Sequence, residues 1–236
     1  MYHLSGHTFA CRAGRYYVFL DLLRDLYFSV PREGLDDLAP WIQGGPFASC
    51  AALTARTPPS AAATAVAAEL VGAGVLSEVP REEGLSVRLA PTPVTDLTSF
   101  RGSLHPAGRR CRHFMSIAAS MRYARWALRS TSMYSIAEAI GKSKRKPPAM
   151  GTKERQKAAE LAEIFLHYRP LFPWDYRCLF DSLALIRFLS RFDLYPDWVF
   201  GVQDDPFSAH CWVQAGIRVL NDDLEHVRSY TPIMTI

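Results

Sequence analysis

The chain has 236 residues, 49% of them hydrophobic and 21% charged, a composition near the globular average that excludes wholesale disorder. No apolar run approaches the length of a spanning helix. The first residues lack the basic region and apolar stretch of a signal peptide, so a cytoplasmic protein is expected.

The net charge of +4 conceals an asymmetry. Residues 1–100 carry 7 Arg, no Lys and 10 acids, whereas residues 101–236 carry 20 Lys and Arg against 13 acids. Two units with different partners follow from that imbalance. The five cysteines (Cys11, Cys50, Cys111, Cys178 and Cys211) are odd in number and show no CxxC spacing. Neither a disulfide framework nor a structural zinc site fits them, and no metal or cofactor is expected.

Short apolar runs at His7–Cys11, Tyr16–Asp21 and Asp25–Val30, separated by turn-like residues 12–15 and 22–24, predict an antiparallel meander. Leu35, Leu38, Ala39 and Ile42 predict a helix over Pro31–Gln43 that ends at Gly44-Gly45. A short helix near Phe47–Ala55 stops before Pro58-Pro59. Ser60 then caps an Ala-rich helix, Ala61–Val71, closed by Gly72-Ala73-Gly74. Leu85–Leu89 looks like a last strand. Residues 1–90 thus form a compact α+β, winged-helix-like module. Pro and Gly mark residues 91–111 as a linker, and 112–236 form a second domain. Its helices are predicted over Arg112–Ile140 and over Thr152–Tyr168, with Thr152 as cap. The basic loop Lys142–Pro148 separates them.

Beyond Pro170 and Pro173 the pattern becomes chemical. Cys178 heads an apolar periodic helix, Cys178–Leu189. His210 opens a strand, His210–Gln214, and Asp222 follows a second strand, Ile217–Leu220, after a turn at Ala215-Gly216. A thiol becomes a good nucleophile as thiolate, and both a helix N-terminus and an adjacent imidazolium lower its pKa. A carboxylate on the next strand can orient that imidazole. Asp223 competes with Asp222 for this role. Gln203 is a possible oxyanion donor, with a plain loop residue as the rival reading. Cys211 alternates to the strand face opposite His210 and is expected to be structural, as is Trp212. His226 and His167 are expected on the surface.

The series Cys178…Asp181-Ser182-Leu183-Ala184-Leu185…Phe192…Gly201-Val202…Asp205-Pro206-Phe207…Ala209-His210-Cys211-Trp212-Val213…Val219-Leu220-Asn221-Asp222 resembles the transglutaminase-like leader peptidases of lasso-peptide biosynthesis, the B proteins. Those usually carry Ala where this chain has Cys211. The resemblance implies a cysteine protease with a papain-like triad of Cys178, His210 and Asp222, and favours Asp222 over Asp223. The segment Val18–Phe28 is similar to the leader-recognition modules of ribosomal peptide pathways, which are fused to the peptidase in one branch of B proteins. In those modules a leader peptide adds to the meander edge and packs against the third helix. By position this implicates Asp25, Leu26, Tyr27 and Phe28 on the strand, with Ala61, Ala65, Ala68 and Glu69 on the helix.

The expected function is leader removal from a lasso-peptide precursor, which frees the core amine for a separate ATP-dependent lasso cyclase. The expected partners are therefore the precursor (leader) peptide and that cyclase. A substrate pocket is expected near Trp174, Tyr176 and Phe207. The rival class is a non-catalytic precursor-binding scaffold, and a further alternative is acyl transfer to an amine. Nucleic-acid binding is not expected, because the small N-terminal unit is acidic and lacks Lys.

Overall fold

In the computed structural model the described residues are 1–47, 58–80, 85, 90–97, 107–144 and 150–236, with backbone path alone for 107–112. The meander forms as expected from β2 (Thr8–Ala13), β3 (Tyr16–Asp21) and β4 (Leu26–Pro31), after a short β1 (Tyr2–Leu4) that the apolar pattern did not announce. Asp21 builds the turn between β3 and β4. Its carboxylate accepts the N–H groups of Leu23 and Arg24 at 3.0 and 3.2 Å and binds the Arg24 guanidinium at 2.7 Å. Asp25 completes the turn with φ +53°, a left-handed conformation that Asp tolerates better than most residues.

Strand alternation gives this meander two buried faces. Ala10, Tyr17 and Phe19 point into a small core with Leu35, Leu38, Ile42, Ala63 and Ala67. Phe9, Cys11, Val18, Leu20 and Leu22 point the other way, into the main core of the molecule.

The helix expected over Pro31–Gln43 is broken into α1 (Arg32–Leu35), a 3-10 turn at Ala39–Trp41 and β5 (Ile42–Gln43). Pro40 lacks the N–H that a continuing helix needs and sits in the first turn of the 3-10 segment instead. The Ala-rich helix is present as α2 (Ala61–Gly72), with the Ser60 hydroxyl accepting the Ala63 N–H at 3.2 Å. β6 (Leu76–Ser77) joins β5 and β1 in a second small sheet. The short helix near Phe47–Ala55 lies, beyond Phe47, outside the described residues. So does the Leu85–Leu89 strand, except for buried Leu85.

The single helix expected over Arg112–Ile140 is two, α3 (Ala107–Ser130) and α4 (Met133–Lys144). The break falls at Ser130-Thr131-Ser132, residues whose side chains compete for backbone hydrogen bonds. Ser132 starts α4 by accepting the Ser135 N–H on its hydroxyl at 3.3 Å. α5 (Thr152–Tyr168) has the expected bounds, but Gly151 and not Thr152 is its N-cap. α6 (Cys178–Ser190) is the central helix. Beside it lies an antiparallel sheet in the order β10-β7-β8-β9, built from β7 (Asp197–Asp204), β8 (Phe207–Ala215), β9 (Arg218–Val219) and β10 (Thr231–Thr235), with α7 (Leu224–Arg228) before the last strand. The chain is therefore mixed α+β.

The main core joins the inner meander face to α3, α5, α6 and this sheet. The described part of the linker is tied down as well. The buried Gln214 amide donates to the Pro91 carbonyl at 2.6 Å, and Asp96 accepts the Leu224 N–H at 2.8 Å. Among the described residues no helix is long and apolar enough to cross a membrane.

Candidate active site

The start of α6 is fixed by a buried cation. Arg169, 1% exposed, binds the Asp181 carboxylate and donates from Nη2 to the carbonyls of Trp174 and Asp175, both at 3.0 Å. Asp181 in turn accepts the Arg177 N–H at 2.9 Å, reaching back to the residue before the helix. The 174–177 loop is thereby held against the helix it precedes. Arg177 supplies no capping side chain, so the first N–H groups of α6 and its positive end favour an anion at Cys178.

His210 stands on β8 opposite Gly201 of β7. Its ring packs near Trp212, Tyr230 and His226, with centroids 6.1, 5.1 and 4.6 Å away. Gly201 is required for this closeness. A Cβ there would come within 3.0 Å of the Trp212 ring and 2.9 Å of the Tyr230 Cβ. His210 Nε2 is hydrogen-bonded to Asp222 Oδ2, which leaves Nδ1 for the thiol. The other carboxylate oxygen of Asp222 accepts the Asp223 N–H at 2.8 Å and pairs with His226 Nδ1 at 3.0 Å. The rival Asp223 is exposed and serves as the α7 N-cap.

Asn221 ties the strands to the helix. It accepts the Val213 N–H at 2.7 Å and donates to the buried Ser182 hydroxyl at 2.9 Å. The Asp181-Ser182 and Asn221-Asp222 pairs seen in sequence thus act together, because one member of each fixes where the neighbouring groups lie.

Cys178, His210 and Asp222 therefore meet: Cys178 and His210 line one cavity, their thiol and imidazole favour each other's charged forms, and Asp222 holds the ring. Cys211 does alternate to the face opposite His210, but that is the face on which α6 packs. Its sulfur consequently lies against Cys178, where strand alternation alone suggested a purely structural residue. The Cys178 thiol is pushed down to about 4, first by the Cys211 thiol and then by His210, while burial acts against both. Burial pushes the Cys211 thiol well up, so it stays a neutral donor. His210 is pushed up to about 9; burial opposes its charge, and Asp222 and Cys178 outweigh burial. Asp222 lies below the usual carboxylate range, since its hydrogen bonds from His210, His226 and Asp223 overcome burial. Both shifts favour a thiolate–imidazolium pair braced by a carboxylate, an arrangement able to attack a carbonyl carbon and protonate a leaving amine.

The N-terminal unit reaches this site. Burial pushes the Tyr27 phenol above its usual range, with Cys211, Asp25 and Cys178 among its neighbours. Tyr27 also packs on Phe207, centroids 6.0 Å apart. A cavity of about 170 Å³ beside Cys178 and His210 is lined by Leu20, Leu22, Asp25 and Tyr27 together with residues of the second unit. Phe28 is turned away and stacks on Phe19 at 5.0 Å, while Leu26 is exposed. On α2, Ala61, Ala65, Ala68 and Glu69 share the exposed face. Gln203 is half-buried on β7 opposite Ser208 and does not line the Cys178 cavity.

Of the residues expected to form a pocket, Trp174 lines a separate cavity of about 360 Å³ with Arg125, Arg129 and Arg177. Tyr176 is exposed beneath the Arg169 guanidinium, 4.2 Å from its ring centre. The ligand atoms of His210, Asp222 and His226 lie within 4.8 Å of one another, a spacing that could hold a metal ion. The same atoms are engaged with one another as hydrogen-bond partners.

No curated protein and no solved structure matches this chain. The family model described as the transglutaminase-like superfamily matches residues 116–235, just over half of the chain. That span contains Cys178, His210 and Asp222 with the helix and sheet that bring them together, and the chain belongs to the transglutaminase-like superfamily.

Proposed function

We propose that this protein is a leader-guided cysteine endopeptidase that cuts a ribosomally made lasso-peptide precursor in the cytoplasm. The convergence of Cys178, His210 and Asp222 at the start of α6 carries the reading. The Cys178 thiolate attacks the scissile carbonyl carbon, and the oxyanion draws on N–H groups in the first turn of α6. His210 gives its proton to the departing amine as the C–N bond breaks, leaving a thioester on Cys178. Water then attacks the thioester with His210 as base, releasing the leader as a carboxylate and restoring the thiol. Asp222 orients the imidazole and balances its charge. The freed core amine is the group that an ATP-dependent cyclase would join to an acidic side chain.

The meander offers the leader its place. β4 is the outer strand of its sheet and pairs on one side only among the described residues. An added peptide strand gains main-chain hydrogen bonds there, and the exposed α2 face is the second surface that the resemblance implicates for its side chains. The same strand leads to Tyr27 at the cavity beside Cys178, so recognition and cleavage lie on one continuous path.

Incubating a candidate precursor peptide with the protein, and with Cys178→Ala, tests the reading by mass. Cleavage lost in the variant is expected. Retained leader binding with no processing by either protein favours the scaffold, and an amine adduct favours acyl transfer.

A further inference from the structure

We propose that the cavity beside Cys178 is a specificity pocket for one medium-sized uncharged side chain on the acyl side of the scissile bond, and that the N-terminal unit builds half of it. This rests on the peptidase reading above and adds the determinant of which bond is cut.

The N-terminal wall is Leu20, Leu22, Asp25 and Tyr27. The opposite wall is Met133, Leu179 and Phe200, with Cys178 and His210 completing the cavity. Leu20, Leu22, Met133 and Phe200 are each buried, so the lining stands on packed core and is not adjustable surface. At about 170 Å³ the space admits a side chain and nothing larger. A charge entering this apolar space loses its hydration without a buried partner. An acidic side chain also meets the negative charge of Asp25, an exposed residue of the cavity wall next to the turn that Asp21 anchors.

The acyl side is assigned by direction. The leader lies on the N-terminal side of the bond to be cut, and the β4 edge that would carry it begins beside Asp25 and Tyr27, the residues that wall the pocket. A recognition unit that only tethered its peptide would have no reason to enclose the space next to the thiol. Here the second unit alone leaves that space open on one side.

Acetylated tripeptide aldehydes test the pocket without an identified precursor. The Cys178 thiolate adds to the aldehyde carbon and the oxygen takes a proton, giving a thiohemiacetal with no leaving group. Capture is read as protection of Cys178 from iodoacetamide by mass spectrometry, with Leu, Lys or Asp placed at each position in turn. At one position Leu should be captured roughly tenfold or more better than Asp, with Lys between them. Leu22→Phe, which fills the pocket, should abolish the preference for Leu. Asp25→Asn, compatible with the left-handed backbone there, should narrow the penalty on Asp relative to Leu several-fold. Equal capture at every position, a preference for Lys over Leu, or a Leu preference untouched by both variants would overturn the pocket with the peptidase intact. Absence of capture of any aldehyde by the parent protein would instead overturn the peptidase reading, and the pocket with it.

Discussion

His226 pairs through Nδ1 with Asp222 Oδ1 at 3.0 Å, on the carboxylate oxygen that His210 does not use. The carboxylate is thereby gripped from both sides, and the second imidazole also packs at a tilt beside the first, centroids 4.6 Å apart. Position in sequence suggested only a surface residue, and its side chain is indeed 48% exposed. Replacing it with Ala should leave the fold intact and loosen Asp222. The loss of one hydrogen bond from the half-exposed His226 to the Asp222 carboxylate is worth about 1 kcal/mol, or roughly a fivefold drop in kcat. His226→Asn, which keeps a donor near the same place, should restore part of the rate. A lowered kcat with KM unchanged, measured on the cleaved peptide, checks this; equal kcat in the Ala variant would reduce His226 to a bystander.

The proposed catalysis needs thiolate and imidazolium together, which sets its pH range. With the Cys178 pKa held to about 4 and His210 raised to about 9, kcat/KM should rise through the lower value, stay level across neutrality and fall through the upper one. Asp222→Asn removes a group that holds the proton on His210, so the alkaline limb should move to lower pH. Cys211→Ala removes the largest influence favouring the thiolate, so the acid limb should move to higher pH. Alkylation of Cys178 by iodoacetamide across pH reads the acid limb directly. An unshifted limb in Cys211→Ala would show that the two sulfurs do not communicate.

Cys178, His210 and Asp222 were legible because each sits at a recognisable junction: the head of an apolar helix, the line of a strand, the end of the next. Their supports were not legible. Arg169 lies outside the motif and 12 residues before its partner Asp181, and nothing in its local sequence says that it is buried. The same limit applies to the relation of the two units. The apolar runs His7–Cys11 and Tyr16–Asp21 show that strands form, but both faces of β2 and β3 carry apolar residues and neither face names its partner. That Leu20 and Leu22 pack into the core of the second unit is tertiary information. It also makes removal of residues 1–90 a poor test of recognition, since it would strip large core side chains worth roughly 2–3 kcal/mol each. Substitutions at exposed Leu26 and Ala65 avoid that confusion. Leu26→Asp with Ala65→Arg should raise KM for the full precursor while leaving the alkylation rate of Cys178 unchanged.

Gly201 offers a steric test of how His210 is seated. A methyl group there meets the Trp212 ring and the Tyr230 Cβ at about 3 Å. Neither is the far end of a flexible chain, so sheet and ring must part. Gly201→Ala should cost about 1–3 kcal/mol through overpacking and should lower kcat further than its loss of stability explains, because His210 rides on the displaced strand. Activity measured well below the melting transition separates the two effects. Wild-type kcat in a destabilised but folded variant would show that the ring keeps its position without this support.

Arg169 supplies the remaining prediction, because it joins stability to the nucleophile. Arg169→Gln leaves the part-buried Asp181 without its cation, and since breaking a fully buried pair from one side costs about 3–5 kcal/mol, the loss here should fall at or below the lower end of that range. The carbonyls of Trp174 and Asp175 lose their donor at the same time. The loop should then drift from the start of α6, freeing the Tyr176 ring from its contact with the guanidinium and slowing acyl transfer to Cys178. The paired variant Arg169→Met with Asp181→Leu removes both charges together and should recover much of the melting temperature, since no uncompensated ion remains. It should not recover activity, because the Arg177 N–H and the two loop carbonyls still lack partners. Recovery of stability and activity together would show that Arg169 serves packing alone and leaves the geometry around Cys178 untouched.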